Sequence, residues 1–149
     1  MSMDLRELYQ EIIIDHNRDP RNHHPMKDAT TCAQGYNPLC GDKLTVYAKI
    51  AHGQVTDLSF VGSGCAIAQA SASLMTEAVK GKSLEAAHQL FQRFHQMLTQ
   101  DDNSPWETMD KLVVLAGVKA YPVRVKCATL AWHTLEAALN KDAHTVSTE

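Results

Sequence analysis

Hydrophobic and polar positions along the chain predict an N-terminal helix, followed by strands and then by further helices. Residues 3–16 are typical of an amphipathic helix, because their apolar residues recur at helical spacing: Leu5, Leu8, Tyr9, Ile12 and Ile13. Pro20 and Pro25 follow this segment and prevent the helix from continuing. Residues 29–36 then favour a short strand.

Two alternating runs predict a β-hairpin in the middle of the chain. Residues 43–50 alternate apolar with polar or amphipathic side chains, as a half-buried strand does. His52 and Gly53 are typical of a hairpin turn, and residues 54–61 supply the second strand. The alternation slips near Asp57, which predicts a β-bulge there.

The second half of the chain favours helices over 66–80, 84–98, 106–117 and from about Pro122 to Leu139. Gly81 is expected to end the first of these, Ser83 to cap the second, and Gly117 to close the third. Pro122 suits the first turn of the last helix. The order of elements predicts an α+β fold, in which a small three-stranded antiparallel sheet is covered on one face by about five helices. We expect one domain over residues 1–140 and a disordered polar tail over 141–149.

Composition narrows the class of protein. The chain has 149 residues and a formal net charge of −3, with no dominant basic block, so no nucleic-acid partner is expected. No apolar run is long enough to span a bilayer, and residues 1–10 lack the pattern of a signal peptide. A cytoplasmic location is the resulting expectation. In that setting the four cysteines are expected to be reduced thiols used for metal binding or catalysis.

Three cysteines and one carboxylate occupy local settings that suit a metal site. Cys40 precedes a strand on a loop, Cys65 stands at the entrance of a helix beside glycines, and Cys127 lies near the start of the last helix. With Asp42 they would form a four-coordinate site of the kind that zinc takes. Gly41, which has no Cβ, would let the chain bend so that Cys40 and Asp42 point at one ion.

Each of these residues also has an ordinary structural interpretation. Cys127 lies on an apolar stripe, where a cysteine is often a small core residue, and Gly41-Asp42 is common turn chemistry. Cys65 is harder to explain in this way, since a helix N-terminus stabilises a thiolate. A site with three thiolates and a carboxylate would favour nearby cations, and the candidates are Arg124, Lys126 and Lys43. The alternative is that these three are solvated surface charges.

Four separated motifs resemble one known family. The stretches "DHNRDPRN", "NPLCGD", "GSGCAIAQASASLMT" and "VRVKCATLAWHTL" are similar, in order, to those of the IscU/SufU (NifU N-terminal-like) family of iron–sulfur cluster assembly proteins. The likeness extends to about Asn140. The long helical stretch between the second and third cysteines, and Lys126 where IscU-type scaffolds carry a histidine, resemble the SufU-type branch.

The resemblance implies a function and a set of site residues. The zinc ligands would be Cys40, Asp42, Cys65 and Cys127. The protein would activate a pyridoxal-phosphate-dependent cysteine desulfurase of the SufS type, and Cys40 would accept persulfide sulfur from that enzyme. Arg124 would help to engage the desulfurase, and a downstream SUF scaffold complex is a further candidate partner. The activity implied is of the sulfurtransferase type, exercised together with the desulfurase.

Two other functions stay open. The same ligands could hold iron, or a transient [2Fe–2S] cluster, on an IscU-like scaffold. The third hypothesis is a purely structural zinc domain. Asp42 argues against it, because closed structural zinc sites prefer cysteine and histidine ligands.

Several polar residues are expected to serve structure. Cys32 matches no motif and is expected to be a half-buried strand residue. His88 and His95 are seven residues apart on one predicted helix but lack a third ligand. Asp15 and His16 are expected to fix the end of the first helix. Ser71 and Ser73 are expected to pack against a neighbouring element.

Overall fold

The computed structural model describes residues 5–99, 106–140 and 146–147, and the side chains of 10–99 and 111–140. These residues include four α-helices, namely α1 (Leu5–Arg18), α2 (Ala66–Val79), α3 (Leu84–Thr99) and α4 (Pro122–Leu139), with a 3-10 helix over Trp106–Ala120. Strands β1 (Thr31–Asn37), β2 (Asp42–Ala51) and β3 (Gln54–Ser63) form an antiparallel sheet. The predicted α+β class, with three antiparallel strands and five helices, is confirmed.

The β2–β3 hairpin has the turn and the bulge that the sequence predicts. His52 and Gly53 have φ values of 54° and 73°, and two consecutive positive values are the geometry of a tight hairpin turn. Lys49 pairs with Asp57 and Ile50 pairs with Val55, so one extra residue bulges between them. The bulge lets Val55 and Leu58 both face the core, where they are fully buried.

Helix α4 lies across the sheet and forms the centre of the core. Ten of its residues are buried, and its Trp132 ring stacks on Phe94 of α3 with centroids 4.5 Å apart. Gly35 of β1 allows the close approach of α4, since a Cβ there would collide with the side chain of Thr134. This contact brings the N-terminal turns of α4 to the end of β1.

Three details differ from the sequence-based expectations or lie outside them. The segment from Trp106 winds as a 3-10 helix and continues past Gly117 to Ala120, because continuing it buries Val118 in the core. Within the expected disordered tail, Val146–Ser147 form a short strand, β4, parallel to β1. The rest of that tail, residues 3–4, and the side chains of Leu5, Leu8 and Tyr9 lie outside the described residues.

The N-terminal helix and the helix caps agree with the predictions. Ile12 and Ile13 pack against the core, and the Ser83 hydroxyl accepts a hydrogen bond of 3.0 Å from the backbone N–H of Ala86, which makes it the N-cap of α3. Gly81 has a φ of +91° directly after α2. Within the described residues no helix combines the length and the apolar character needed to cross a bilayer.

Candidate metal centre

A four-residue turn and the starts of two helices meet at one end of the sheet. Cys40 lies on the turn between β1 and β2, and Asp42 is the first residue of β2. Cys65 is the N-cap residue of α2, and Cys127 lies in the second turn of α4. Of the four residues that the sequence groups, three have ligand atoms close together, and Cys65 lies beside them.

Three of the four side chains form a compact group, here called the cysteine cluster. Ligand atoms of Cys40, Asp42 and Cys127 all lie within 4.8 Å of one another. The Sγ atoms of Cys40 and Cys127 are 3.1 Å apart. Two thiols and a carboxylate at this separation can bind one ion with only small side-chain movements.

Cys65 lies at the edge of this group. Its backbone N–H donates a hydrogen bond of 2.8 Å to Oδ1 of Asp42, and its thiol interacts with that of Cys127. Its own sulfur is not among the ligand atoms within 4.8 Å of one another. The structure thus joins Cys65 to the centre mainly through the carboxylate that its N–H holds.

The local backbone explains why small residues flank the centre. Gly41 has a φ of +72°, which an L-residue rarely adopts, and it turns the chain between Cys40 and Asp42 as the sequence predicts. A Cβ on Gly64 would lie 2.8 Å from Oδ1 of Asp42, in the space that the carboxylate needs. Both glycines therefore shape the site without contributing a ligand.

Asn37 is a site residue that the sequence reasoning did not identify. It is fully buried, and its Nδ2 donates to Oδ2 of Asp42 at 3.3 Å and to Sγ of Cys127 at 3.5 Å. Its Oδ1 accepts a hydrogen bond of 3.3 Å from the N–H of Leu39, which forms an Asx-turn. The available signal was the Asn-Pro pair that opens the turn, since such pairs favour turn initiation.

The electrostatics of the centre favour a bound cation. Burial is the main cause that raises the pKa of the Cys127 thiol, and hydrogen bonds within the cluster raise it further. A fully buried thiol of this kind stays protonated at neutral pH unless a metal replaces its proton. The donor set of sulfur and carboxylate oxygen fits zinc or an iron–sulfur cluster.

The candidate cations lie on the rim of the centre. Arg124 is exposed, precedes Cys127 by one helical turn on α4, and has no ion pair with another described residue. Lys43 is exposed and Lys126 is half-buried. Near them, three large apolar side chains are exposed to solvent: Leu39, Tyr121 and Val123.

Cys32 takes no part in the centre. It is exposed on β1 and paired in register with Tyr47. Asn37 lies five positions further along the strand, which corresponds to about 16 Å. Its position on a strand agrees with the prediction from sequence, although Cys32 is more exposed than the half-buried residue expected there.

Known proteins resemble this chain over most of its length. The sequence model of one protein family, the NifU-like N-terminal domain, matches residues 8–144. The iron–sulfur cluster assembly scaffold protein IscU of Streptococcus pyogenes serotype M1 is 38% identical over 140 residues, covering 94% of this chain and 87% of that protein. The zinc-dependent sulfurtransferase SufU of Bacillus subtilis (strain 168) is 37% identical over 138 residues, covering 93% of both.

A solved structure agrees with these sequence matches. A proposed iron–sulfur cluster assembly scaffold for the SUF system, from Fervidobacterium islandicum AW-1, superposes with a TM-score of 0.82 at 32% identity. The match covers 91% of this chain and 99% of that one. The chain therefore belongs to the family of the NifU-like N-terminal domain, the IscU/SufU family that its cysteine motifs resemble.

Proposed function

We propose that this protein works in iron–sulfur cluster assembly as a zinc-dependent sulfur-transfer protein. Cys40 would receive sulfur from a pyridoxal-phosphate-dependent cysteine desulfurase of the SufS type, and Cys40, Asp42, Cys65 and Cys127 would hold the zinc ion. One observation carries the proposal. Two thiols only 3.1 Å apart have opposite environments, since Cys40 is half-buried on a turn and Cys127 is fully buried in a helix.

This contrast separates a thiol that can react from one that anchors the site. The turn that carries Cys40 can change conformation at low cost, because regular secondary structure does not fix its backbone. Cys127 is held by α4, ten of whose residues, from Cys127 onward, are buried. A thiol that accepts sulfur must be reached by a partner, and Cys40 meets that requirement.

Zinc, when bound, would keep the cysteines deprotonated without introducing redox chemistry. The chain supports the same charge state in two ways. Cys65 stands at the N-terminus of α2, where the helix dipole stabilises negative charge at the site. Asn37 donates a hydrogen bond to Asp42 and another to Cys127.

The proposed transfer is a thiol–disulfide type of exchange. The Cys40 thiolate attacks the outer sulfur of the persulfide on the desulfurase cysteine. The sulfur–sulfur bond of that persulfide breaks, its electron pair leaves with the desulfurase thiolate, and a new sulfur–sulfur bond forms on Cys40. No external oxidant or reductant is consumed, because one sulfur atom moves between two thiols.

The rim of the centre supports docking of the desulfurase. Arg124 and Val123 precede Cys127 by one turn of α4, and Leu39 precedes Cys40 on the turn, so a cation and apolar side chains surround the proposed acceptor. An exposed Leu39, at 58%, is the kind of side chain that a partner surface covers. A SUF scaffold complex would then take the sulfur onward.

The scaffold function is the second candidate, favoured by one observation. An IscU-named relative is as similar as the SufU-named one, at 38% against 37% identity. The same four residues could hold a transient [2Fe–2S] cluster, since thiolates and a carboxylate suit either metal. The two functions differ in what the purified protein retains and in what it does to a desulfurase.

The test combines metal analysis with a desulfurase assay on the full chain. We expect about one tightly bound zinc per chain and strong stimulation of sulfide release by a SufS-type desulfurase. Cys40→Ala should abolish the stimulation, whereas Cys32→Ala, which removes an exposed cysteine about 16 Å or more away, should preserve it. Stimulation that survives in Cys40→Ala would contradict the role of Cys40 as acceptor.

An iron-loading experiment distinguishes the second candidate. Asp42→Ala protein loaded with iron and sulfide should not retain a stable visible chromophore if the first function holds. A stable, oxygen-sensitive chromophore in Asp42→Ala, together with no effect of the wild-type chain on the desulfurase, would favour the scaffold.

A further inference from the structure

A second set of metal-ligating side chains lies between α3 and α4, apart from the cysteine cluster. His95 of α3 and His133 of α4 have ring centroids 5.8 Å apart at an interplanar angle of 75°. They line an open cavity of about 420 Å³ together with Phe91, Gln92 and Gln96. His133 follows Cys127 by six residues, which places it about 9 Å further along α4 and about 120° around the helix axis.

The separation of the two rings suits a shared ion. A metal–nitrogen distance of about 2.0–2.1 Å puts an imidazole centroid about 3.2 Å from the metal, so two such rings lie about 4.5–6.4 Å apart, depending on the bond angle. The observed 5.8 Å falls inside this range. The separation of the two ring centroids is therefore that of two imidazoles bound to a common ion.

Neither imidazole has a competing partner among the described residues. His88 lies on α3, seven residues before His95, and its situation is different. Its Nδ1 is 3.0 Å from the Glu136 carboxylate of α4. The side-chain nitrogens of His95 and His133 have no hydrogen-bond partner within the described part of the chain. Two unpaired imidazoles that face one cavity therefore have lone pairs available to a ligand.

The surroundings hold both rings in place and keep one of them neutral. Phe91 lies edge-on to His133 with centroids 5.3 Å apart, and it stacks with His95 at 6.1 Å. The pKa of His133 is lowered, first by burial and second by the charge that His95 can carry. A neutral imidazole is the form that coordinates a metal.

We propose that His95 and His133 form a two-histidine site for a divalent late transition metal, such as Ni²⁺, Cu²⁺ or Zn²⁺. Imidazole nitrogen suits these ions, whereas sulfur donors favour softer ones, so the site differs in chemistry from the cysteine cluster. Water, and the amide oxygen of Gln92 or Gln96, would complete the coordination at the open side. An ion here would link α3 to α4 directly.

The test uses Ni²⁺ and the full chain carrying one equivalent of zinc, which the thiolates of the cysteine cluster take first and which leaves the two histidines without a metal. Calorimetric titration should show one Ni²⁺ site that weakens by about ten-fold or more in His95→Gln and in His133→Gln. Ni²⁺ should also raise the unfolding temperature of the wild type and fail to do so in either variant, because the ion binds the folded state only.

A matched variant controls for the number of histidines. His52 is exposed on the β2–β3 turn with a φ of 54°, a conformation that asparagine accepts, so His52→Asn should fold normally and bind Ni²⁺ like the wild type. Unchanged Ni²⁺ affinity in His95→Gln, or an equal loss in His52→Asn, would overturn the site. If His133→Gln is poorly folded without metal, the half-exposed His95→Gln decides the result.

Discussion

Two polar clusters contact the same helix, α2, and they differ in how completely protein atoms satisfy them. The first is the cysteine cluster, which reaches the N-terminus of α2 at Cys65. The second, here called the serine–histidine network, joins the end of α1 and the following turn to the middle of α2, and its members are His16, Arg21, Asn22, Ser73, Thr76 and Glu77.

The serine–histidine network is closed. The Ser73 hydroxyl accepts a hydrogen bond of 2.8 Å from the Arg21 N–H and lies 2.7 Å from Nδ1 of His16. Glu77 is 3.5 Å from Nε2 of His16, so Nε2 carries the proton and Ser73 donates to Nδ1. Asn22 donates to the Thr76 hydroxyl at 3.0 Å. Each buried group thus has a protein partner.

The cysteine cluster is open by comparison. Its thiols and its carboxylate lie together and offer several ligand atoms to one cation. Burial of His16 and of Cys127 is almost the same, at 1% and 0% exposure, so depth does not separate the two clusters. The comparison indicates that the kind of side chain brought together, metal-ligating thiols and a carboxylate rather than complementary donors and acceptors, distinguishes a binding centre from a structural network, and burial does not.

The largest effect is expected when an anchor of the open cluster is removed. The free energy of binding a structural zinc ion is about 10–16 kcal/mol, which is about 3 kcal/mol for each of four ligands. Cys127→Ala should therefore weaken zinc binding by about 100-fold or more. Competition with a metal-binding dye measures the change. Cys32→Ala is the control, and an equal loss in that variant would contradict the assignment of Cys127.

Breaking the closed network should change stability instead. Ser73→Ala leaves Nδ1 of His16 and the Arg21 N–H without a partner, which should lower the free energy of unfolding by about 1–3 kcal/mol. Urea denaturation measures this loss, and zinc affinity should stay unchanged. Ser59 is the matched control, because its buried hydroxyl has no partner among the described residues, and Ser59→Ala should cost much less.

A smaller effect is expected from Asn37, which orients the ligands of the open cluster. Asn37→Ala removes the hydrogen bonds to Asp42 and Cys127, and zinc affinity should fall by about ten-fold. The same dye competition measures it. A loss as large as that of Cys127→Ala would indicate that Asn37 does more than position its neighbours.

The smallest effect concerns pH. The pKa of His16 is lowered, mainly by burial and then by Arg21, while Glu77 acts in the opposite direction. The His16 imidazole therefore binds a proton more readily in the unfolded chain, where its pKa is about 6.5, than in the folded protein. The contribution of neutral His16 to the free energy of unfolding is full above that pH and is lost as the pH falls below it.

Thermal unfolding at pH 7, 6 and 5 tests this expectation. The unfolding temperature should fall on acidification, and the fall should be shallower in His16→Gln. His133, whose pKa burial also lowers, should contribute in the same direction. An identical pH dependence in wild type and His16→Gln would exclude the network as its source.

The sequence predicted most of the fold because its signals are local. The His52-Gly53 turn, the bulge before Asp57 and the cap at Ser83 each depend on the conformational preferences of a few adjacent residues. The 3-10 helix past Gly117 was missed because tertiary burial of Val118, rather than local preference, extends it.

For the metal centre, the sequence predicted candidate ligands from their residue types, but it did not predict the hydrogen bonds between them and their neighbours. Cysteine, aspartate and glycine have distinctive chemistry, so their settings indicated a metal site. The role of Asn37 could not be predicted, because its hydrogen bond to Cys127 joins residues 90 positions apart. The same holds for His16 and Ser73, whose contact with one another depends on how α1 packs against α2.

The pairing of Asn37 with Asp42 closes the β1–β2 ladder and fixes both ends of the turn that carries Cys40. Only one residue separates Cys40 from Asp42, so the two Cα atoms can be at most about 7 Å apart, whatever the turn does. The range of the Cys40 thiol is therefore limited by this short connection to Asp42. Under the proposed function, the sulfur donor of the partner would have to reach that small volume.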